Sequence, residues 1–381
     1  MKTIKRNIAL QRIEYGLKHY PITAILGPRQ CGKTTLAKMI CAEKMGTFID
    51  LEDPMDRSRL HNPKLALGSL TGLVVLDEFQ IDPDLSKVLR VLADRRPLPC
   101  RFLILGSASP DLIKNSSESL AGRIHFVDLS GFTLEDVGSQ HQKQLWLRGG
   151  FPISFLKEED EDSYAWRENF IRTFLERDIP QLGISIPAAT LRKFWMMVAH
   201  YHGQIWSSSE VGRSIDVSHL TAKRYLDILT GAYVVRQLQP WFENLGKRMV
   251  KSPKVYIRDS GLLHRLLDIP SWHALESHPK LGASWEGFAL AHVLDCIGER
   301  NAYFWATQSG AELDLFTRWK GKRLGFEFKY TEKPTTTKSM HVAMTDLKLH
   351  HLYLVYPGSE RFPLHKKITV IPLQEIRNVL T

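Results

Sequence analysis

The chain has 381 residues, 43% of them hydrophobic, with a formal net charge of +10, which allows two to four domains with real cores and favours an acidic partner, nucleic acid first. Its four cysteines, Cys31, Cys41, Cys100 and Cys296, form no C-x-x-C pair, so neither a zinc ribbon nor a disulfide framework is expected. The sequence carries no export signal and no apolar run of transmembrane length, so a reducing cytoplasm and no membrane partner are expected.

Residues 1 to 140 alternate strand and helix. Strands are predicted at Ile22–Leu26, Thr47–Leu51, Leu73–Leu76, Arg101–Leu105 and Ile124–Leu129, giving an α/β domain with a mainly parallel sheet. The first runs into Gly27-Pro28-Arg29-Gln30-Cys31-Gly32-Lys33-Thr34, which matches G-x-x-x-x-G-K-[ST] and is followed by a helical pattern from Thr34 to Cys41. Glycines there let backbone N–H groups close on phosphate oxygens, and the helix N-terminus favours negative charge. Lys33 would reach β- and γ-phosphates, the Thr34 hydroxyl would ligate Mg²⁺, and Thr35 completes the nucleotide-binding stretch. Cys31 reads as a small neutral loop residue.

Leu73-Val74-Val75-Leu76 is all apolar, as a buried parallel strand is, and ends in Asp77-Glu78. Acids at such a strand end sit where parallel sheets bind ligands. Asp77 would hold Mg²⁺ through water and Glu78 would orient and deprotonate the attacking water. The fourth strand ends in Gly106-Ser107-Ala108-Ser109. Ser107 there either senses the γ-phosphate or makes a plain strand-to-loop turn. Arg123 either stabilises phosphoryl charge in a neighbouring subunit or is an ordinary surface charge.

Residues 141–185 read as helical, broken at Gly149-Gly150-Phe151-Pro152, with an acidic exposed turn from Lys157 to Ser163. Residues 190–240 read as a helix-turn-helix with a wing: Leu191 to His202, a capped short helix Glu210 to Ser214, a third helix His219 to Leu229, and the alternating Val234–Leu238. Ser218, His219, Thr221, Lys223 and Arg224 are the exposed candidates for DNA, with Leu220, Tyr225, Ile228 and Leu229 toward the core. Between Arg236 and Arg258 come Lys247, Arg248, Lys251 and Lys254, with Trp241, Phe242 and Tyr256 interleaved, the mixture that tracks nucleic-acid backbones. A protein-interaction module is the alternative.

Near the C-terminus, Asp314 precedes Glu327-Phe328-Lys329. Residues i and i+2 of a strand share a face, so Asp314, Glu327 and Lys329 can converge, with Glu286 adding an acid from a helix. Two carboxylates on Mg²⁺ with a lysine suit phosphodiester cleavage. An exposed hairpin with paired charges fits the same pattern.

Together, Gly27–Thr34, Asp77-Glu78-Phe79-Gln80, Gly106-Ser107-Ala108-Ser109, Ser119-Leu120-Ala121-Gly122-Arg123, Arg148-Gly149-Gly150-Phe151-Pro152, Glu176-Arg177-Asp178-Ile179, Lys251-Ser252-Pro253-Lys254, Asp259-Ser260-Gly261-Leu262 and the Asp314…Glu327-Phe328-Lys329 set resemble the AAA-type ATPases that carry a DUF4143 C-terminal region. Phe79 departs from the smaller aliphatic often found there. The resemblance implies an α/β P-loop ATPase core with a parallel sheet (1–140), a helical lid (141–185), a winged helix-turn-helix (186–258) and a C-terminal α/β domain similar to PD-(D/E)-x-K nucleases (259–381). It implies ATP and Mg²⁺ as cofactors. The residue readings expect DNA of unknown form as partner and a homo-oligomer, with a hexamer as one form. An oligomeric DNA motor or remodeller, an ATP-gated Mg²⁺-dependent nuclease and a signalling or defence switch that binds protein all fit.

Overall fold

The computed structural model describes residues 4–107, 120–242 and 250–380. Two compact units emerge. The first takes residues 1–137 with 150–153 and 231–233; the second takes 138–149, 154–230 and 234–381.

In the first unit, β1 (Ile22–Gly27), β2 (Thr47–Asp50), β3 (Gly72–Asp77), β4 (Cys100–Ser107) and β5 (Ile124–Asp128) form one sheet in the order β2-β3-β4-β1-β5. Every pairing in it is parallel. All five predicted strands are present. Their apolar runs need cover on both faces, and amphipathic helices supply it. In the helix Leu85–Ala93, for instance, Leu85, Leu89 and Leu92 point inward at helical spacing and join Val74, Leu76, Phe102 and Ile104 in the core. Because β4 inserts between β1 and β3, the C-terminal ends of the phosphate-loop strand and the acid-bearing strand flank it.

The second unit holds a sheet in the order β13-β14-β12-β11-β10-β9-β7-β8-β6. Its strands are β6 (Gln204–Ile205), β7 (Val235–Pro240), β8 (Lys254–Ile257), β9 (Ala302–Ala306), β10 (Glu312–Trp319), β11 (Lys322–Phe328), β12 (His351–Tyr356), β13 (Phe362–His365) and β14 (Ile368–Pro372). Three helices, Ala188–His200, Ser208–Ser214 and His219–Gly231, precede β7. The expected cap is made: the Ser207 hydroxyl accepts from Glu210 N at 3.4 Å.

The first unit's main stretch ends at residue 137, close to the boundary expected at 140, while 185 and 258 fall inside the second unit. The residues expected to form a wing pair antiparallel with β8 from Val235 to Leu238, and the end of β7, Gln239 and Pro240, pairs in parallel with β9, joining the two sets of strands in one sheet. The helical stretch is tied in by Arg167, whose guanidinium donates to Leu147 O and Gly261 O at 3.0 Å each. The acidic stretch from Lys157 to Ser163 is a bend, with Glu158 and Glu159 exposed, only as far as Glu159. A helix begins at Asp160, where three acids in its first turn complement the helix dipole, and Ser163 is buried. Among the described residues, no helix is long and apolar enough to cross a membrane.

Candidate nucleotide site and a second acid cluster

The loop after β1 is shaped by close approach and by backbone sign. A Cβ on Gly27 would lie 2.1 Å from Leu129 O, so only glycine fits. Gly32, at φ 98°, sits in the left-handed region that glycine tolerates. Cys31, read as a small neutral loop residue, is fully buried with its thiol 3.5 Å from Leu129 O. Pro28 is buried too, whereas Gln30 and Thr35 are exposed. Arg29 reaches Glu52 at 3.5 Å. Lys33 opens the helix Lys33–Glu43, and its ammonium donates to Gly27 O at 3.0 Å and Pro28 O at 2.9 Å.

Asp77 and Asp50 stand side by side in the β2–β3 register. Burial pushes the Asp77 carboxyl up, while a hydrogen bond from the Thr34 side chain works against the rise. Thr34 and Asp77 therefore already converge. Glu78 takes a left-handed backbone at φ 51° and its carboxylate accepts from the Gln80 amide. Ser107 lies level with Gly27 in the β1–β4 register. Arg123 is held by Asp94 in a two-point ion pair, Nε to Oδ1 at 2.7 Å and Nη2 to Oδ2 at 2.8 Å.

Two residues of this unit escape a reading of the sequence. Gln80 stands out there only as a member of a motif, yet it is the side chain that touches Glu78. Arg6 is 6% exposed and donates to Cys31 O, Ser130 O and Gly131 O, with its Nε 3.2 Å from Asp136. It braces the loop from behind. Only distant pairing reveals it, so no local pattern could have.

In the second unit the four expected acid-site residues come together. Glu286 projects from the helix Leu281–Ile297, Asp314 from β10 and Glu327 from β11, with Lys329 just beyond. The β9–β10 register shifts between Leu313 and Phe316, a bulge of the kind that re-aims a side chain. Lys329 Nζ lies 2.8 Å from Glu327 Oε1, and Asp314 Oδ2 accepts from Phe328 N at 3.0 Å. Burial, then the neighbouring Asp314, push Glu286 up to about 7 and Glu327 up to about 8.

Lys254 corrects the surface reading. It is 2% exposed and sits among these acids, 3.2 Å from Glu286, 3.3 Å from Asp314 and in contact with Glu312. Burial works against its charge, but the carboxylates outweigh burial and raise its pKa well above the usual lysine range. Tyr256 donates to Glu286 Oε1 at 2.6 Å. Strand alternation (Lys254 with Tyr256, Glu312 with Asp314) was the signal that could have found this face. The basic run thins further. Arg236 and Arg258 both clamp Glu299, Lys251 is exposed, and Lys247 and Arg248 lie outside the described residues.

On the third helix Ser218, His219, Lys223 and Arg224 are exposed as expected. Thr221 is partly covered, its N–H and hydroxyl both engaged by Ser218 Oγ, at 3.1 Å and 2.9 Å. Leu220 is not in the core: it is 67% exposed, and Ala222, Leu226 and Leu229 form the buried face.

The description "AAA domain" matches residues 19–137, "Domain of unknown function (DUF8612)" matches 139–273 and "Domain of unknown function (DUF4143)" matches 281–376. The uncharacterized proteins Rv2008c of Mycobacterium tuberculosis and Mb2031c of Mycobacterium bovis are each 53% identical over 373 residues, 98% of this chain and 85% of theirs. The solved Walker-type ATPase PABY2304 of Pyrococcus abyssi shares the fold at 15% identity and a TM-score of 0.50, over 70% of this chain and 96% of that one. With a parallel-sheet P-loop core and the DUF8612 and DUF4143 regions following it in order, the chain belongs to the AAA-domain ATPases that carry a DUF4143 region.

Proposed function

We propose that the protein hydrolyses ATP with Mg²⁺ and couples hydrolysis to work on DNA as a homo-oligomer, a hexamer being one form. The observation that carries the ATPase reading is the convergence, at one end of the β1–β4–β3 triplet, of the phosphate loop, Ser107, Thr34–Asp77 and Glu78. The donor set fits a nucleotide with its cation: a hydroxyl and a buried carboxylate already share a hydrogen bond, and a lysine caps two loop carbonyls it can exchange for phosphate oxygens. Bound Mg²⁺ supplies charge neutralisation at the phosphates. Lys33 holds the phosphates, Thr34 and Asp77 fix the cation's place, Glu78 takes the proton of the attacking water and Ser107 reads the γ-phosphate. A trans role for Arg123 requires it to leave Asp94 for a neighbour's phosphoryl oxygens.

The DNA reading rests on the three helices ahead of β7, taken as a winged helix-turn-helix with Ser218, His219, Lys223 and Arg224 in a groove and Lys251 on phosphate. The region after it is taken as nuclease-like in fold. A second reading is a nucleotide-dependent switch that binds protein through the same helices, with Leu220, two-thirds exposed, open to the partner. ATPase assays with and without single-stranded, duplex and branched DNA decide between them. Stimulation by any form supports the first, and stimulation by none supports the switch. Restored turnover on mixing Arg123→Ala with Glu78→Gln chains supports assembly in trans.

A further inference from the structure

A divalent cation at Asp314 and Glu327 needs free carboxylate oxygens converging on one point. Here most of them are already taken by other partners, Glu327 Oε2 being the exception. Asp314 Oδ1 faces Lys254 at 3.3 Å and Oδ2 faces Phe328 N at 3.0 Å. Glu286 Oε1 serves Lys254 and the Tyr256 hydroxyl together. Glu327 Oε1 is on Lys329, and its Oε2 is buried without a hydrogen-bond partner. Among the described residues, no group of three or more His, Cys, Asp or Glu is placed to hold a metal ion.

Lys254 is not a long surface side chain that happens to bend inward. Its backbone is paired on both sides, with Leu238 of β7 and Ile205 of β6. Its side chain is 3% exposed and its ammonium lies 5.9 Å from the centre of the Phe304 ring. An ammonium so enclosed needs the acids as much as they need it: taking either charge from water is repaid only by the other. Adding a divalent cation beside it would set like charges together in a poorly solvated place.

We propose that Lys254 is the resident cation of this cluster. It takes the role a divalent metal would have in a nuclease-like arrangement, so Glu286, Glu312 and Asp314 form an ion-pair clamp that fastens β8 to β10 and to the helix Leu281–Ile297. The cluster is then a device for holding the second unit together and not a metal-dependent phosphodiester-cleaving centre. This stands apart from the nucleotide site, and either can fail without the other.

The test is a Mn²⁺ titration of the full chain without nucleotide, read by electron paramagnetic resonance, beside Glu327→Gln. Any Mn²⁺ held near the phosphate loop is common to both chains, so their difference reads the cluster alone. Equal binding is expected. One Mn²⁺ per chain lost in Glu327→Gln would overturn the proposal, as would Mg²⁺- or Mn²⁺-dependent DNA cleavage lost in Asp314→Ala. Lys254→Met should lower the unfolding midpoint by roughly 10 °C, with Mn²⁺ restoring part of it. An unchanged midpoint refutes the clamp. Should Lys254→Met fail to fold, Lys254→Arg keeps the charge and should fold without gaining Mn²⁺; a Mn²⁺ site in Lys254→Arg counts against the proposal.

Discussion

Glu78 occupies a backbone region that costs a residue other than glycine roughly 1–2 kcal/mol. Phe79, fully buried, pins the next residue, and the Gln80 amide folds back on the Glu78 carboxylate. On the proposed reading Gln80 is a positioning residue. Gln80→Ala should lower kcat about tenfold while leaving the nucleotide KM in place, and Gln80→Glu, which keeps the length but loses the donor, should not rescue it. A merely structural role would move neither constant or both. Glu78→Gln should cost about 10²- to 10⁴-fold in kcat with nucleotide still bound; Lys33→Ala should lose binding itself. Normal turnover by the Glu78 variant would remove its assignment. Residue types at fixed spacing made Lys33 and Glu78 legible, and Gln80 only as a member of a motif. Lys254 was misread because its chain neighbours are basic, whereas its charge partners, Glu286, Glu312 and Asp314, come from far along the chain.

At the level of elements, the five parallel strands were legible because an all-apolar run bounded by turns has few other fates. The third helix was legible in place but not in rotation. Leu220 sits in its first turn, where the apolar stripe through Ala222, Leu226 and Leu229 leaves it outside. That exposure separates two kinds of variant. Replacing Lys223, Arg224 and Lys251 with Ala should weaken DNA binding across sequences. The slope of log K against log salt should then fall by about 0.9 for each duplex phosphate that the variant no longer neutralises. Leu220→Asp should leave the DNA slope nearly unchanged. Fluorescence anisotropy at several salt concentrations measures both, and unchanged affinity in the triple variant removes the helix from any DNA interface.

Across the whole molecule, stability should depend on pH in a way set by the second unit. Glu286 and Glu327, raised to about 7 and about 8 from 4.5, bind more protons folded than unfolded. Their contribution is complete below pH 4.5 and is lost as pH rises through 7 to 8. Facing them are Lys254, Tyr256, Asp314 and Lys329. His202 and His264, both driven down to about 3 chiefly by burial, stay neutral when folded but take a proton below pH 6.5 when unfolded. Their contribution is present above 6.5, is lost as pH falls, and offsets the two glutamates between 4.5 and 6.5. Glu299 too acts against those glutamates. Burial works upward on it, but Arg236 and Arg258 outweigh that and hold it down to about 2, so its contribution is present above 4.5 and lost in acid. The unfolding midpoint should therefore be highest between about pH 4.5 and 6.5 and fall from there to about pH 8, and Glu327→Gln should flatten that fall. An equal fall in that variant would show that the proton sits elsewhere. That Glu286, Asp314, Glu327 and Lys329 converge was legible; how deeply they are buried was not, because burial depth and the nine-strand order come from pairings between distant segments.

The two register positions that join β7 to β9, Gln239 with Tyr303 and Pro240 with Phe304, bear on where the polypeptide can be severed. A cut at 258, where composition invites one, would strip β9 of its neighbour and leave an open row of amide and carbonyl groups, a template for intermolecular pairing. It would also part Glu286 and Asp314 from Lys254. The fragment 259–381 should therefore aggregate when expressed alone, and a fragment beginning near residue 138, which restores both partners and keeps the second unit whole, should be the smallest soluble one. Size-exclusion chromatography of the two fragments decides it, and a monodisperse 259–381 would show that the shorter piece is self-sufficient.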